Sequence, residues 1–217
     1  MRSARTLVVC FAAALAPFAV AQKWEFGGAV GGGFYTSQDL TAPGGSASAK
    51  IGSNLAGSVF VANNTQSKWG GELRFDYQLG DLDLNGGGSS ASFAARTYGI
   101  HYDALWYAAP NGSKLRPFVA AGVGAKMYVG TGAPQAYQPL SNYALLTHDQ
   151  QILPMVSAGG GVKMQVGSRV QLRVELHDYL TPFPKQVITP NTGAKVGGWI
   201  QDFVPSVGIS FTSPEGR

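Results

Sequence analysis

The residues best suited to acid–base chemistry are three histidines, His101, His148 and His177, the last two of which each precede an aspartate. A Ser-His-acid site needs a serine and a carboxylate within hydrogen-bonding reach of one histidine. Ser206 and Ser210 could lie on a strand beside His177, but we expect both to lie nearer the other end of that strand pair. We therefore interpret His101 and His177 as polar interior residues and His148 as a solvated loop residue, and we predict no catalytic site.

Metal and cofactor sites are not predicted either. The histidines are scattered, the only cysteine is Cys10, and the sequence has none of the short ligand spacings typical of zinc sites. The run Gly86-Gly87-Gly88 has the composition of a loop. No helix is predicted after it, so the backbone amides that cradle phosphate at a helix N-terminus are missing.

Composition narrows the class of protein further. Charged residues make up 13% of the 217-residue chain, about half the fraction of a typical soluble domain. The formal net charge is +4 and the chain has no run of Lys or Arg, so it lacks the basic patch that nucleic-acid binding requires. Nucleic acid is therefore excluded as a partner.

Residues 1–21 have the features of a secretory signal peptide. Arg2 and Arg5 form a positive start, an apolar run follows over 7–20, and Ala19-Val20-Ala21 is a small-residue cleavage signature. An N-terminal membrane helix is the alternative, but the run is shorter than the ~20 residues of a helical span. The prediction is an exported mature domain, 22–217, without cysteine.

The mature domain shows period-two alternation of apolar and polar residues, which predicts β-strands. Between Val170 and His177 every even position is aliphatic and every odd position polar, and 69–79 alternates in the same way. The eight predicted strands span residues 23–36, 48–62, 69–80, 93–108, 116–129, 153–166, 170–180 and 199–212.

The connections between these strands alternate between long and short. The long ones, rich in Gly, Ser, Pro and Thr, are 37–47, 81–92, 130–152 and 181–198. The short ones are 63–68, 109–115 and 167–169. In an up-and-down barrel this order places all long loops at one end and all tight turns at the other, as in outer-membrane barrels.

Aromatic residues indicate which face meets lipid. On the apolar face, aromatics lie near both strand ends, which predicts two girdles at lipid–water interfaces. The predicted girdles include Trp24, Trp69, Trp106 and Trp199, together with Phe34, Tyr77, Tyr98 and Phe211. A soluble, lipocalin-like barrel would also alternate, but it would turn its apolar residues inward and has no reason for two girdles.

The polar face is predicted to line a narrow lumen. Near neutrality is needed there, because an unpaired buried charge costs several kcal/mol. Glycines on the same face would make room for long side chains. The predicted ion-pair network comprises Glu72, Arg74, Asp76, Asp103, Lys126, Lys163, Arg173 and Glu175, with Glu25, Arg116 and Asp202 also facing inward. Arg74 is expected to pair with Glu72 and Asp76 on its own strand, and the network is expected to plug the lumen.

Four segments carry a resemblance to a known family. They are Arg116 to Gly124, Ser157 to Lys163, Val170 to Tyr179 and Asp202 to Phe211. With them the chain resembles the OmpA/OmpX-like eight-stranded outer-membrane β-barrel family. The resemblance implies an all-β, eight-stranded antiparallel up-and-down transmembrane barrel with short periplasmic turns and long extracellular loops. It also implies that the outer-membrane assembly machinery reads the last strand, although Thr212 to Arg217 follow the usual terminal aromatic.

The resulting functional expectation is a bacterial outer-membrane protein of structural or surface-interaction type, serving membrane integrity, adhesion or recognition. Its expected partners are outer-membrane lipid, the assembly machinery and an extracellular ligand or surface that contacts the loops. Loop 130–152, with Tyr137 and Tyr143, is the leading recognition segment. No cofactor and no enzymatic activity are predicted. A small passive or gated channel is the alternative, and a lipid A-modifying enzyme with a His-Ser-acid cluster at the outer rim is less well supported.

Overall fold

Twelve β-strands make up the described part of the computed structural model, which covers residues 24–43, 45–64, 68–133 and 137–213. The predicted signal peptide lies outside the described residues. The strands are β1 (Trp24–Tyr35), β2 (Gln38–Ala42), β3 (Gly45–Ile51), β4 (Asn54–Asn63), β5 (Trp69–Gly86), β6 (Ser89–Tyr107), β7 (Leu115–Gly130), β8 (Ala144–Leu146), β9 (Gln150–Gln165), β10 (Val170–Pro182), β11 (Ile188–Pro190) and β12 (Trp199–Thr212). Within the described ranges no helix is long and apolar enough to span a bilayer.

Eight of these strands close into a ring. The order around it is β5-β4-β1-β12-β10-β9-β7-β6, and β6 pairs back to β5. The first and last strands meet, since Phe26 of β1 lies opposite Val61 of β4 on one side and Phe211 of β12 on the other. Neighbouring strands of the ring are antiparallel. The predicted fold class, an eight-stranded antiparallel barrel, is confirmed.

The two faces of the barrel wall differ in the way that lipid contact requires. On β5, Leu73 and Phe75 are exposed on the outside, while Glu72, Arg74 and Asp76 are buried inside. Similar exposed apolar residues occur on all eight strands of the ring and form a continuous outer band. A soluble monomer rarely exposes so large an apolar surface.

The predicted girdle residues lie at the two rims of this band. Trp24, Trp69 and Trp106 are exposed at the end of the short turns, called the turn end below. Trp199 is exposed at the opposite end, called the loop end. Trp69 and Trp106 are also directly paired across β5 and β6.

The predicted single strand 48–62 is wrong, because the chain breaks at Gly52-Ser53 into β3 and β4. Ile51 pairs with Leu82 and Ala56 pairs with Gln78. The chain therefore advances five residues from β3 to β4 while β5 advances only four. The extra residue is a β-bulge, which shifts the alternation by one position. Odd positions therefore face inward in β3, whereas even positions face inward in β4.

The predicted loop 81–92 is also wrong, because β5 and β6 continue through it as a hairpin. A two-residue turn at Gly87-Gly88 joins them, with φ values of 55° and 77° that suit glycine. The strands were missed because the polarity of their faces inverts here. Leu82 and Leu84 are buried on the inside, while Asp81 faces outward and is exposed.

The loop end is therefore a structured cap rather than a set of open loops. We call the cap the assembly of β2, β3, the ends of β5 and β6 beyond the barrel, and the small β8–β11 sheet. Its interior is an apolar core. The buried members of this cap core are Leu40, Ala47, Ala49, Ile51, Leu82, Leu84, Phe93, Ala95, Tyr128, Ala144, Leu146, Phe183, Val187, Ile188 and Ile200.

Candidate functional site: the barrel lumen

The lumen holds buried polar groups in four levels, which are described from the turn end to the loop end. At the first level Lys163 Nζ lies 2.6 Å from Glu25 Oε2 and donates to the hydroxyl of Tyr107 at 2.9 Å. Asn64 donates to the same Glu25 oxygen at 2.7 Å. The Arg116 guanidinium lies 3.4 Å from the centre of the Tyr107 ring. These contacts close the turn end around one carboxylate and one aromatic ring.

The second level is a ring of two arginines and two glutamates, which we call the Arg–Glu ring. Arg74 contacts Glu72 Oε1 at 2.7 Å and Glu175 Oε1 at 2.6 Å. Arg173 contacts the second oxygens of the same two carboxylates, Glu72 Oε2 at 2.7 Å and Glu175 Oε2 at 2.9 Å. Each carboxylate thus bridges both arginines, and all four side chains are buried. Three of these four contacts are charge-assisted hydrogen bonds, which are short and geometrically specific, whereas the contact between Arg173 and Glu175 is an ion pair without hydrogen-bond geometry.

An aromatic ring supports the Arg–Glu ring from β4. The Phe60 ring centre lies 4.1 Å from the Arg173 guanidinium carbon and 4.9 Å from that of Arg74. Both distances are within the range of cation–π attraction. Phe60 was not among the predicted lumen residues, although its position in the alternation of β4 places it on the inward face.

The third level centres on His101. Its Nε2 lies 2.9 Å from Asp76 and its Nδ1 lies 3.0 Å from Asp103. Because ionised carboxylates only accept hydrogen bonds, His101 can satisfy both of them only as an imidazolium that donates from both nitrogens. Counted as a cation, it joins the five inward Lys and Arg residues, and together they balance the six inward acids. The lumen is then neutral, as a sealed interior requires.

His177 is less well satisfied at the same level. Its ring stacks on Tyr179 at 5.7 Å, and its Nε2 lies 3.8 Å from Asp103 Oδ2. Neither that nitrogen nor Ser157 Oγ has a hydrogen-bond partner among the described residues. Ser206 Oγ instead contacts Glu175, at 3.4 Å. Among the described residues, therefore, His177 Nε2 accepts no hydrogen bond from Ser157.

The fourth level lies directly beneath the cap. Lys126 pairs with Asp202, and Gln78 donates to the same Asp202 oxygen at 2.7 Å. The Lys126 ammonium lies 4.7 Å from the Tyr35 ring centre and 5.3 Å from that of Tyr179. A lysine enclosed by aromatic rings and a carboxylate fills the lumen at this height, and the cap core begins immediately above it.

Glycines make the close packing of these levels possible. A Cβ placed on Gly159 would lie 2.6 Å from His177, and one on Gly161 would lie 2.8 Å from Glu175 Cβ. Real side chains do not tolerate such distances, so an alanine at either position would displace a lumen residue. The predicted use of glycine to make room for charged side chains agrees with this geometry.

The predicted network residues all face the lumen, but one predicted pairing is wrong. Asp76 contacts His101 rather than Arg74, and Arg74 contacts Glu175 on the opposite wall. The predicted recognition residues lie in the cap region. Tyr137 is 77% exposed, whereas Tyr143 is half-buried against the cap core. His148 is exposed, as expected for a loop residue.

No family model and no curated protein sequence matches the chain. Solved structures do match. The outer membrane protein OprG from Pseudomonas aeruginosa aligns with 88% of this chain and 96% of its own, at 13% identity and a TM-score of 0.59. The Neisserial surface protein A aligns with 87% of this chain and 96% of its own, at 12% identity and a TM-score of 0.51. The chain has the fold of an outer-membrane β-barrel. At these identities the likeness concerns the fold alone.

Proposed function

We propose that the chain is an integral protein of a bacterial outer membrane, of structural or surface-interaction type, with a lumen closed to solutes. The fold it shares with outer-membrane proteins supports the location. The exposed apolar band between two aromatic girdles supports lipid contact. The cap then faces the outside of the cell and the short turns face the periplasm.

The Arg–Glu ring is the main observation that supports a closed lumen. It joins β5 to β10, which are four steps apart in a ring of eight and therefore lie on opposite walls. An eight-stranded barrel has an interior only wide enough for its side chains to fill. A solute would have to separate these ion pairs and then cross the apolar cap core.

Planar-bilayer recording of the purified protein tests the closed lumen. We expect no steady conductance, whereas a water-filled porin reconstituted in the same way should conduct. Steady openings of the wild-type protein would favour the alternative, a small channel. Openings seen only in an Arg173→Ala variant would support the proposal that the Arg–Glu ring blocks the path.

The proposed recognition surface is the water-exposed part of the cap. Tyr137 and Leu145 are exposed there, and they belong to the predicted recognition segment. Tyr143 and Leu146 pack toward the cap core and contribute shape rather than direct contact. A ligand would therefore meet a folded surface rather than flexible loops.

Labelling of single cysteines in intact cells tests the orientation. The only natural cysteine, Cys10, lies in the predicted signal peptide, so an introduced cysteine reports one position. A membrane-impermeant maleimide should label Tyr137→Cys in intact cells. It should label the matched turn-end variant Lys114→Cys only after cell lysis. The reverse pattern would overturn the assignment of the cap to the cell surface.

A further inference from the structure

The outer face of the barrel carries an apolar groove between the two girdles. Its volume is about 370 Å³. The side chains along its rims are Phe26, Val59, Val61, Leu73, Phe75 and Ile100, from β1, β4, β5 and β6. All six belong to the outward, lipid-facing alternation. The groove is therefore open to the membrane and closed to the lumen, since Phe60 and Arg74 form its floor.

Two outward positions near the groove are glycines. Gly28 pairs with Val59 across β1 and β4, and Gly57 precedes Val59 on the same face of β4. Neither has a side chain to fill the wall. A Cβ on Gly57 would meet nothing closer than 4.0 Å, so the space next to it is open.

An aromatic pair and a cation continue the groove toward the loop end. The rings of Tyr77 and Tyr98 lie 5.2 Å apart, and these residues are the next outward pair beyond Phe75 and Ile100. Arg96 is the next outward residue on β6 and is exposed. Within the described part of the chain its side chain makes no hydrogen bond or ion pair, including with Asp81 on the adjoining strand.

We propose that this face binds one anionic lipid, with an acyl chain in the groove and its phosphate on Arg96. The groove lies between the girdles, where water is absent, so an acyl chain is its expected occupant. The tyrosine pair lies at the level where the glycerol or sugar backbone of a lipid would lie. The planar guanidinium at the next level can donate two parallel hydrogen bonds to two oxygens of one phosphate. The proposal rests on the membrane location proposed above.

Native mass spectrometry of the full chain released from detergent micelles tests the groove. The probes are dioleoyl phosphatidylglycerol, which is anionic, and dioleoyl phosphatidylcholine, which has the same acyl chains but no net charge. We expect the wild-type protein to retain one phosphatidylglycerol in preference to phosphatidylcholine. Val59→Trp should fill the groove and abolish retention of both lipids. The matched control is Val174→Trp on β10, on the wall opposite β5 and at a similarly exposed outward position, which should retain lipid as the wild type does.

The headgroup contact is tested separately with Arg96→Gln. This variant should still retain phosphatidylcholine. Its ratio of retained phosphatidylglycerol to phosphatidylcholine should fall about fivefold, the factor expected for one basic residue at an anionic surface. Lys185→Gln, an exposed loop-end control, should keep the preference. Equal retention by the Val59 and Val174 variants, or an unchanged preference in Arg96→Gln, would overturn the lipid site. Neither result would affect the membrane location, which fails only if the wild-type protein stays monodisperse without detergent.

Discussion

The barrel and the cap use the same strands in opposite ways. On β5, the inward residues Glu72 and Arg74 are charged, whereas farther along the same face Leu84 is apolar. The outward residues change in the other direction, from Leu73 to Asp81. The backbone and the alternation continue without interruption, and only the surrounding solvent changes. The point of inversion therefore marks where hydrocarbon gives way to water, and it lies next to the loop-end girdle.

The largest loss of stability is expected for a substitution in the barrel interior. Arg173→Ala leaves Glu72 and Glu175 with one partner fewer each in a buried site. Breaking a buried ion pair from one side costs about 4 kcal/mol, because the remaining charge is uncompensated. Urea unfolding of the protein in lipid vesicles measures this. A loss below about 1 kcal/mol would show that the Arg–Glu ring fills space without stabilising the barrel.

The cap should respond as a soluble core does. Leu84→Ala removes a fully buried side chain from the cap core and should cost about 3 kcal/mol. We expect the loss to be local, so that hydrogen exchange rises in β8 and β11 and stays unchanged in β9. The control is Leu79→Ala on the outward face, which leaves the cap core intact. Faster exchange throughout the barrel would show that the cap and the barrel unfold as one unit.

On the outer face, the barrel and the cap should differ in how much an introduced charge lowers the free energy of unfolding. Leu73 lies midway between Trp69 and Tyr77 on β5, so it marks the centre of the apolar band. Leu73→Arg should destabilise the protein by about 2–3 kcal/mol, as expected for a cation near the membrane midplane. The matched variant Asn85→Arg, outward on the cap, should have almost no effect. Equal costs would mean that both positions meet the same solvent.

The smallest loss of stability is expected where two opposite charges face each other in register on the cap surface. Lys50 lies directly opposite Asp83 across β3 and β5, and Lys50 is exposed to water. Lys50→Ala should cost less than about 1 kcal/mol, and high salt should reduce the difference further. A cost near that of Arg173→Ala would indicate that this surface is shielded from water, and the cap would then not be a solvent-exposed region.

The sequence predicts a strand well where its outer face meets lipid, and its inner face the polar lumen, along the whole strand. The strand predicted over 170–180 is observed as β10, Val170–Pro182. The hairpin through 81–92 was missed because its inward residues become apolar and its Gly, Ser and Asn content resembles a loop. The break at Gly52-Ser53 was missed because a bulge leaves no mark in the composition, only a shift in the alternation.

For the lumen, the sequence predicts orientation but not partners. The alternation alone places Arg74, Asp76 and Lys126 inward, and they are buried there. It cannot show that Arg74 reaches Glu175, because that contact depends on which strand lies across the ring and at what height. The spacing of two along one strand suggested Asp76 instead. Which side chains meet across the lumen depends on the hydrogen-bond register of all the strands in the ring. The sequence of one strand does not reveal that register.

The junction between β1 and β12 gives the ion pairs a further consequence. These are the first and last strands that the structure describes, and their pairing completes the ring. Each brings one acid into the interior, Glu25 from β1 and Asp202 from β12, and each acid finds a lysine that another strand supplies. A slip of one residue at this seam would turn an acid toward lipid and leave its lysine alone inside. The two ion pairs thereby add an electrostatic preference for the correct register of β1 against β12 to the hydrogen bonds between their backbones.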